Sequence, residues 1–189
     1  MITVGSAMKT LESPRLILRK FRLDDLTAVQ SYAGNTENII YMLWGPNTTA
    51  QTQWFIDMAI REAEKEPCTH FEYAAVCKKT GQLIGACGLY SSGETAEIGW
   101  ILHKAYWKQG YGTEMGRALL DFGFGELKLH RIIAHCDAEN YGSYRVMEKI
   151  GMRREGLFLE GRPAHKGSDK PYGDELSYAI LRTEWSPLC

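Results

Sequence analysis

Residues 107 to 123, WKQGYGTEMGRALLDFG, set two glycines one residue apart directly ahead of a helical pattern. Met115, Ala118, Leu119 and Phe122 follow the i, i+3, i+4, i+7 spacing of one helical face, and Leu120, Phe124 and Leu127 widen it. A largely buried helix is therefore expected to begin near Thr113. Gly110 and Gly112 stand where a missing Cβ lets the chain turn tightly and approach another group. The free amides of a first helical turn and the positive end of the helix dipole favour an anion there. A glycine pair in this place also serves as a plain tight loop, so the motif alone leaves both readings open.

The elements around this turn fix the fold class. RLILRKF (15 to 21) alternates as an early strand, and LDDLTAVQSYAG places Leu26, Val29 and Ala33 on one helical face before Gly34 ends it. Thr48 and Gln51 form a capping box at the head of a second helix, on which Phe55, Met58, Ala59 and Glu62 share a face. FEYAAVC and LIGACGLY read as strands joined by a turn at KKTGQ, and AEIGWIL follows after SSGET, so three strands form an antiparallel meander. A helix over 113–128, a strand RIIAHCD, a helix NYGSYRVMEKIG and two late strands, EGLFLEG and ELSYAIL, complete the order. This is an α+β chain in one domain over residues 8–189, with a mixed, largely antiparallel sheet flanked by helices. The leading MITVGSA (1 to 7) reads as a cloning remnant, and RPAHKGSDKPYGD (162 to 174) as a surface loop with substrate contact as the alternative.

Composition removes several function classes. A net charge of −1 gives no bulk attraction to nucleic acid or an anionic membrane, and no apolar run is long enough to span a bilayer. The five cysteines (68, 77, 87, 136, 189) include no C-x-x-C pair, and the five histidines (70, 103, 130, 135, 165) show no ligand spacing with them. Reduced thiols, a cytoplasmic location and no metal are expected.

Three phosphate sites compete for the glycine turn. A P-loop needs G-x-x-x-x-G-K-[ST], which does not occur, and a dinucleotide fingerprint needs G-x-G-x-x-G in a parallel unit. Here the run is G-Y-G-T-E-M-G, with its third glycine one residue late and an antiparallel meander before it. The remaining reading is a pyrophosphate turn following a strand that offers its backbone to an extended ligand.

AEIGWILHKAYWKQGYGTEMGRALLDFGF followed by RIIAHCDAENYGSYRVMEKIGMRREG resembles the acetyl-coenzyme A site of the GNAT superfamily of N-acetyltransferases. The chain is most similar to the branch of RimJ/RimL-like ribosomal-protein N-terminal acetyltransferases, whose beginning ESPRLILRKFRLDD also resembles, and the likeness runs from about residue 11 to 181. The superfamily's turn is [QR]-x-x-G-x-[GA]. Trp107 occupies its first position, a departure familiar in that branch, ahead of Lys108, Gln109, Gly110, Tyr111 and Gly112. The resemblance implies that amides from Lys108 to Thr113 cradle the pyrophosphate and that the backbone of Trp100, Ile101 and Leu102 pairs with the pantetheine arm. Asn140 would contact the coenzyme and Ser143 would lie near its thioester. On local grounds these two also read as a helix cap and a backbone-satisfying hydroxyl. Where many members carry a tyrosine acid this chain has Met147, which cannot donate a proton, so Ser143 becomes the candidate donor to the leaving thiolate.

Acetyl transfer to an amine needs a base poised near the working pH. Glu97, alternating with Gly99 and Ile101, and His135, five residues before Asn140, are the two candidates; a water chain without a single essential base is the third possibility. The carbonyl would be polarised by a strand N–H. Direct transfer in a ternary complex is implied, with a protein N-terminus or a small amine as acceptor and Tyr41, Trp44, Trp54, Tyr90 and Tyr172 as possible groove walls. The alternative is a non-catalytic acyl-coenzyme A sensor. A monomer or homodimer is expected.

Overall fold

The computed structural model describes residues 8–186, so the MITVGSA segment and Cys189 lie outside the described residues. The chain begins with β1 (Leu11–Glu12) and β2 (Leu16–Arg19), crosses through α1 (Leu26–Ala33) and α2 (Thr49–Glu62), and returns as the meander β3 (His70–Cys77), β4 (Leu83–Ser92) and β5 (Thr95–Leu102). It continues as α3 (Tyr111–Asp121), β6 (Arg131–Asp137), α4 (Tyr141–Lys149) and the hairpin β7 (Arg153–Pro163) and β8 (Tyr172–Leu181). One eight-stranded sheet results, in the order β1-β2-β3-β4-β5-β6-β8-β7. All neighbours are antiparallel except β5 and β6, which lie parallel because α3 carries the chain back between them.

Alternation along the strands divides the core between the two faces. Ala96 and Ile98 of β5, Ile132 and Ala134 of β6, and Leu16 and Leu18 of β2 pack with Met115 and Leu119 of α3 and Met147 of α4. On the opposite face Ala74, Ala86 and Ile101 meet Val29, Tyr32 and Ala33 of α1 and Ile56 and Ala59 of α2. The even and odd residues of β5 thus serve different sides of the sheet.

The expected elements all form, with local corrections. α3 starts at Tyr111, two residues earlier than the apolar spacing implied, because Gly110 takes a left-handed φ of 84° and lets the helix begin at once. It ends at Asp121, and a π-turn over Phe122–Glu126 carries the rest of the apolar stripe, with the Leu127 amide donating to the Phe122 carbonyl. The capping box of Thr48 and Gln51 forms as expected. The buried face of α2 is rotated, however: Thr52, Ile56, Ala59 and Ala63 are buried in place of Phe55, Met58 and Glu62. A threonine tolerates that position because its hydroxyl donates to the Gln30 carboxamide of α1. The segment 162–174 is shorter as a loop than its composition implied, since β7 runs to Pro163 and β8 starts at Tyr172.

One departure from regular pairing positions everything that follows. β5 and β6 pair only at Thr95 with Arg131, Ala96 with Ile132 and Glu97 with Ile133. Beyond that point β5 runs on to Leu102 and β6 to Asp137 without partnering each other, so the sheet splits in its middle.

Candidate active site

The split opens into a cavity of about 700 Å³ that passes between the strands and under α1 and α2. Its size is that of a small-molecule site. Glu97, Trp100, Ile101, His135, Asn140 and Ser143 all line it. Leu102 and the turn from Lys108 to Thr113 do not; Leu102 packs partly buried against the core, and Lys108 to Gly110 are exposed.

At that turn the backbone is prepared for an anion. Among the described residues, no amide from Lys108 to Thr113 donates to a protein acceptor; the first to do so is Glu114, to the Gly110 carbonyl. Lys108 and Gly110 both have positive φ, 60° and 84°, which points successive N–H groups outward. The residues present therefore fit a pyrophosphate. Gly112 plays a different part from Gly110: a Cβ there would come within 3.2 Å of Val146 Cγ2, so the second glycine is set by the approach of α4.

Two features hold the turn that sequence reasoning did not supply. Glu114 accepts from the Ser13 hydroxyl at 2.7 Å, the Arg15 amide at 2.6 Å and Arg15 Nε at 2.8 Å, while Arg15 Nη1 donates to the Gln109 carbonyl at 3.0 Å. The same guanidinium lies 4.3 Å above the Tyr111 ring. Burial opposes ionisation of Glu114, but these donors outweigh it and hold its carboxyl below the usual range. The second feature is Trp107, whose indole N–H donates to the Leu102 carbonyl at 2.7 Å. Asn38 Nδ2 donates to that same oxygen at 2.7 Å. Both acceptor positions of Leu102 are thus filled, and the freely available backbone of β5 lies at Gly99 to Ile101. A tryptophan at the head of the turn latches it to the end of the strand, a contact over five residues that no residue pattern announces.

On the other wall Asn140 caps α4, its carboxamide oxygen accepting from the Ser143 amide at 3.1 Å. The capping role is therefore present, and it leaves the amide NH₂ as the part of Asn140 available to a ligand. Ser143 faces the cavity beside Cys136, whose buried thiol is pushed up to about 12, chiefly by burial, and so stays protonated. Met147 is buried below them.

Glu97 and His135 are brought together: His135 Nδ1 lies 3.3 Å from Glu97 Oε1. The hydrogen bond to Glu97 raises the imidazole above its ordinary value against partial burial, and Glu175 on β8 adds to the rise. The two residues that the sequence offered as alternatives form one pair. Tyr41, Trp44, Trp54 and Tyr90 also line the cavity, whereas Tyr172 does not. The 164–171 turn contributes indirectly: its Lys166 amide donates to the Ile40 carbonyl at 2.9 Å and its ammonium to that of Trp44 at 2.8 Å, holding the aromatic segment in place.

Two charged groups of the cavity escaped the sequence reading. Arg162 is buried, donates to the Tyr41 carbonyl at 2.8 Å and faces Asp137 at 3.7 Å. Glu72, on β3, is held by the Tyr90 hydroxyl, and burial pushes its carboxyl up to about 7 against that bond. Its signal was the lone acid in FEYAAVC, a run otherwise apolar on both faces. Among the described residues no group of histidine, cysteine and acidic side chains is arranged to hold a metal, and no helix is long and apolar enough to cross a membrane.

The chain is similar to known proteins in sequence and fold. The family description "Acetyltransferase (GNAT) domain" matches residues 15–153. The chain is 39% identical over 179 residues to the uncharacterized N-acetyltransferase YnaD of Bacillus subtilis, covering 93% of this chain and 99% of that protein. It is 32% identical over 183 residues to the uncharacterized N-acetyltransferase p20 of Bacillus licheniformis, covering 95% and 99%. A crystal structure of a GNAT-family acetyltransferase from Bacillus anthracis superposes with a TM-score of 0.81 at 36% identity, covering 93% of this chain and all of that one.

Proposed function

The chain belongs to the GNAT acetyltransferase family, and from that premise we propose that it moves the acetyl group of acetyl-coenzyme A directly onto a primary amine held in the same ternary complex. The observation that carries the coenzyme assignment is the run of six outward, unpartnered amides from Lys108 to Thr113, next to a strand edge left unpaired by the split sheet. The pyrophosphate meets the amides, and the pantetheine arm takes the place of the missing strand neighbour along Gly99 to Ile101. The acetyl end then reaches the cavity between Trp100 and Ser143.

The amine nitrogen attacks the thioester carbonyl, the C–N bond forms, and the C–S bond breaks as the tetrahedral intermediate collapses. An ammonium acceptor first loses a proton to the pair of Glu97 and His135, directly or through water. Neutral His135 is the accepting form, with Glu97 orienting the ring and stabilising the imidazolium. A free N–H of β5 polarises the carbonyl. Ser143 donates the proton that the coenzyme thiolate takes up and is itself reprotonated, directly or through water, by the second proton that the nitrogen sheds as it becomes an amide. Trp107 at the head of the turn supports membership of the RimJ/RimL-like branch, and the acceptor is a protein N-terminus or a small amine. Retention of Ser143, Asn140 and the Glu97–His135 pair in one cavity favours turnover over a sensing role.

Calorimetric titration with acetyl-coenzyme A, with NAD and ATP as controls at fixed salt, tests the coenzyme site. Selective micromolar binding followed by amine-dependent thiol release is the expected result. Absence of binding overturns it, and binding without thiol release over a broad amine panel replaces the enzyme with a sensor.

A further inference from the structure

The face of the sheet beneath α1 and α2 carries a channel leading away from the split. Glu72, Gly88 and Gly99 stand in register on β3, β4 and β5, with side-chain positions on the same face. Gly99 leaves open space, with nothing within 4 Å of a would-be Cβ, and the Tyr90 hydroxyl folds over Gly88 to reach Glu72. The row therefore runs from the transfer point to a carboxyl two strand spacings away, about 10 Å.

Among the other charges lining this cavity, His135 faces Glu97 and Arg162 faces Asp137, while Glu175 on β8 sits beside the His135 end. Glu72 faces no such partner: Tyr90 holds Oε1, and among the described residues Oε2 has no donor and the carboxyl no cationic neighbour. The titratable groups that face it are the Tyr32 hydroxyl from α1 and the Tyr90 hydroxyl from β4, and these, like the Cys87 thiol on the other face of β4, stay neutral in the physiological range. Tyr32 is 2% exposed, lines the same cavity, and its hydroxyl has no hydrogen-bond partner. The Tyr32 hydroxyl is thus left buried and unsatisfied, and Glu72, partly buried, is left without a counter-charge, in a cavity that Val29 and Phe55 also line. A group left so in a folded protein costs stability unless something else completes it. An ammonium does: it brings three donors, of which one goes to Glu72 and one to the Tyr32 oxygen.

Resting on the acetyltransferase assignment above, we propose that Glu72 and Tyr32 seat a second, non-reacting ammonium of the acceptor, so that the preferred substrate is a small dication with an apolar spacer, an α,ω-diamine. The reacting amine then sits above Gly99, beside Glu97 and His135. Occupancy of the seat also lowers the proton affinity of Glu72, so diamine binding tightens as pH rises through about 7.

The experiment compares pentanediamine with pentylamine by thiol release, in the wild type, Glu72→Gln and Tyr32→Phe, with acetyl-coenzyme A affinity measured on each. Wild type is expected to favour the diamine in kcat/KM by at least about tenfold. Glu72→Gln removes most of that preference and its rise with pH, and Tyr32→Phe removes part of it, with coenzyme affinity retained. A preference unchanged in Glu72→Gln overturns the proposal. So does an equal fall for both amines with loss of one limb of the kcat profile, which would make Glu72 part of the proton transfer. Failure of the wild type to bind acetyl-coenzyme A refutes the underlying assignment instead, and so is distinguished from failure of the seat.

Discussion

Replacing Glu114 with glutamine probes how the anion-binding turn is held. The wild-type carboxylate accepts three hydrogen bonds from Ser13 and Arg15, in the turn between β1 and β2. Glutamine keeps one good acceptor, loses the charge, and points an NH₂ at a donor. A hydrogen bond to a charged group contributes about 1.5–3 kcal/mol, but Arg15 is nearly half exposed and screened by water. A loss of about 1–2 kcal/mol follows, which in a domain of this size lowers Tm by about 4 °C. Because the folded carboxyl ionises below its unfolded value, its contribution is complete above the ordinary carboxylate range near about pH 4.3 and disappears as pH falls through the folded value. Thermal melts of both proteins from pH 7 downward should therefore show a gap that closes at acid pH. Released from Glu114, Arg15 also stops fixing the Gln109 carbonyl, so acetyl-coenzyme A affinity should fall in the same variant. Equal melting temperatures at pH 7, or a gap that persists after the carboxyl is protonated, would refute the argument that this ion pair organises the turn.

Three further outcomes are expected. Gly110→Ala places a Cβ on a residue at φ 84°, a strain of about 1–2 kcal/mol that loosens the turn and weakens acetyl-coenzyme A about 5- to 30-fold, measurable by calorimetry. Glu97→Gln removes the carboxylate charge behind the hydrogen bond that holds His135 high, so the acid limb of the kcat/KM profile moves to lower pH; an unmoved limb would separate His135 from the proton transfer. Ser143→Ala should lower kcat by about 10²-fold while coenzyme affinity is retained, and an unchanged kcat would assign the thiolate's proton to water.

Local periodicity carried the fold well because each helix buries one regular face and the strands divide their residues between the two sides of the sheet. The meander, the α3 stripe and the α4 cap are all short-range patterns. α2 shows the limit: the choice between Phe55 and Ile56 as the inward residue depends on Gln30 of α1, far away in sequence, satisfying Thr52. In the site, Asn140, Ser143 and the glycine turn were legible because each sits at a helix start, where sequence and geometry are tightly coupled. Glu97 and His135 were each visible, but their contact depends on β5 and β6 lying side by side, and residue spacing cannot report this. Arg15 was missed because it is remote in sequence from Glu114, and Trp107, though read as the head of the turn, gave no sign of its grip on the Leu102 carbonyl, a side-chain contact to backbone.

Strands that part in the middle of a sheet also leave a kinetic signature. Backbone of β5 beyond Glu97 lies in the centre of the molecule, yet on the side of β6 it has no ladder partner. Its outward amide protons should exchange with solvent deuterium as fast as those of a surface loop, while their neighbours bonded to β4 stay protected. A ligand that lies along that edge closes the gap, and the slowing of a few central amides would map its footprint residue by residue.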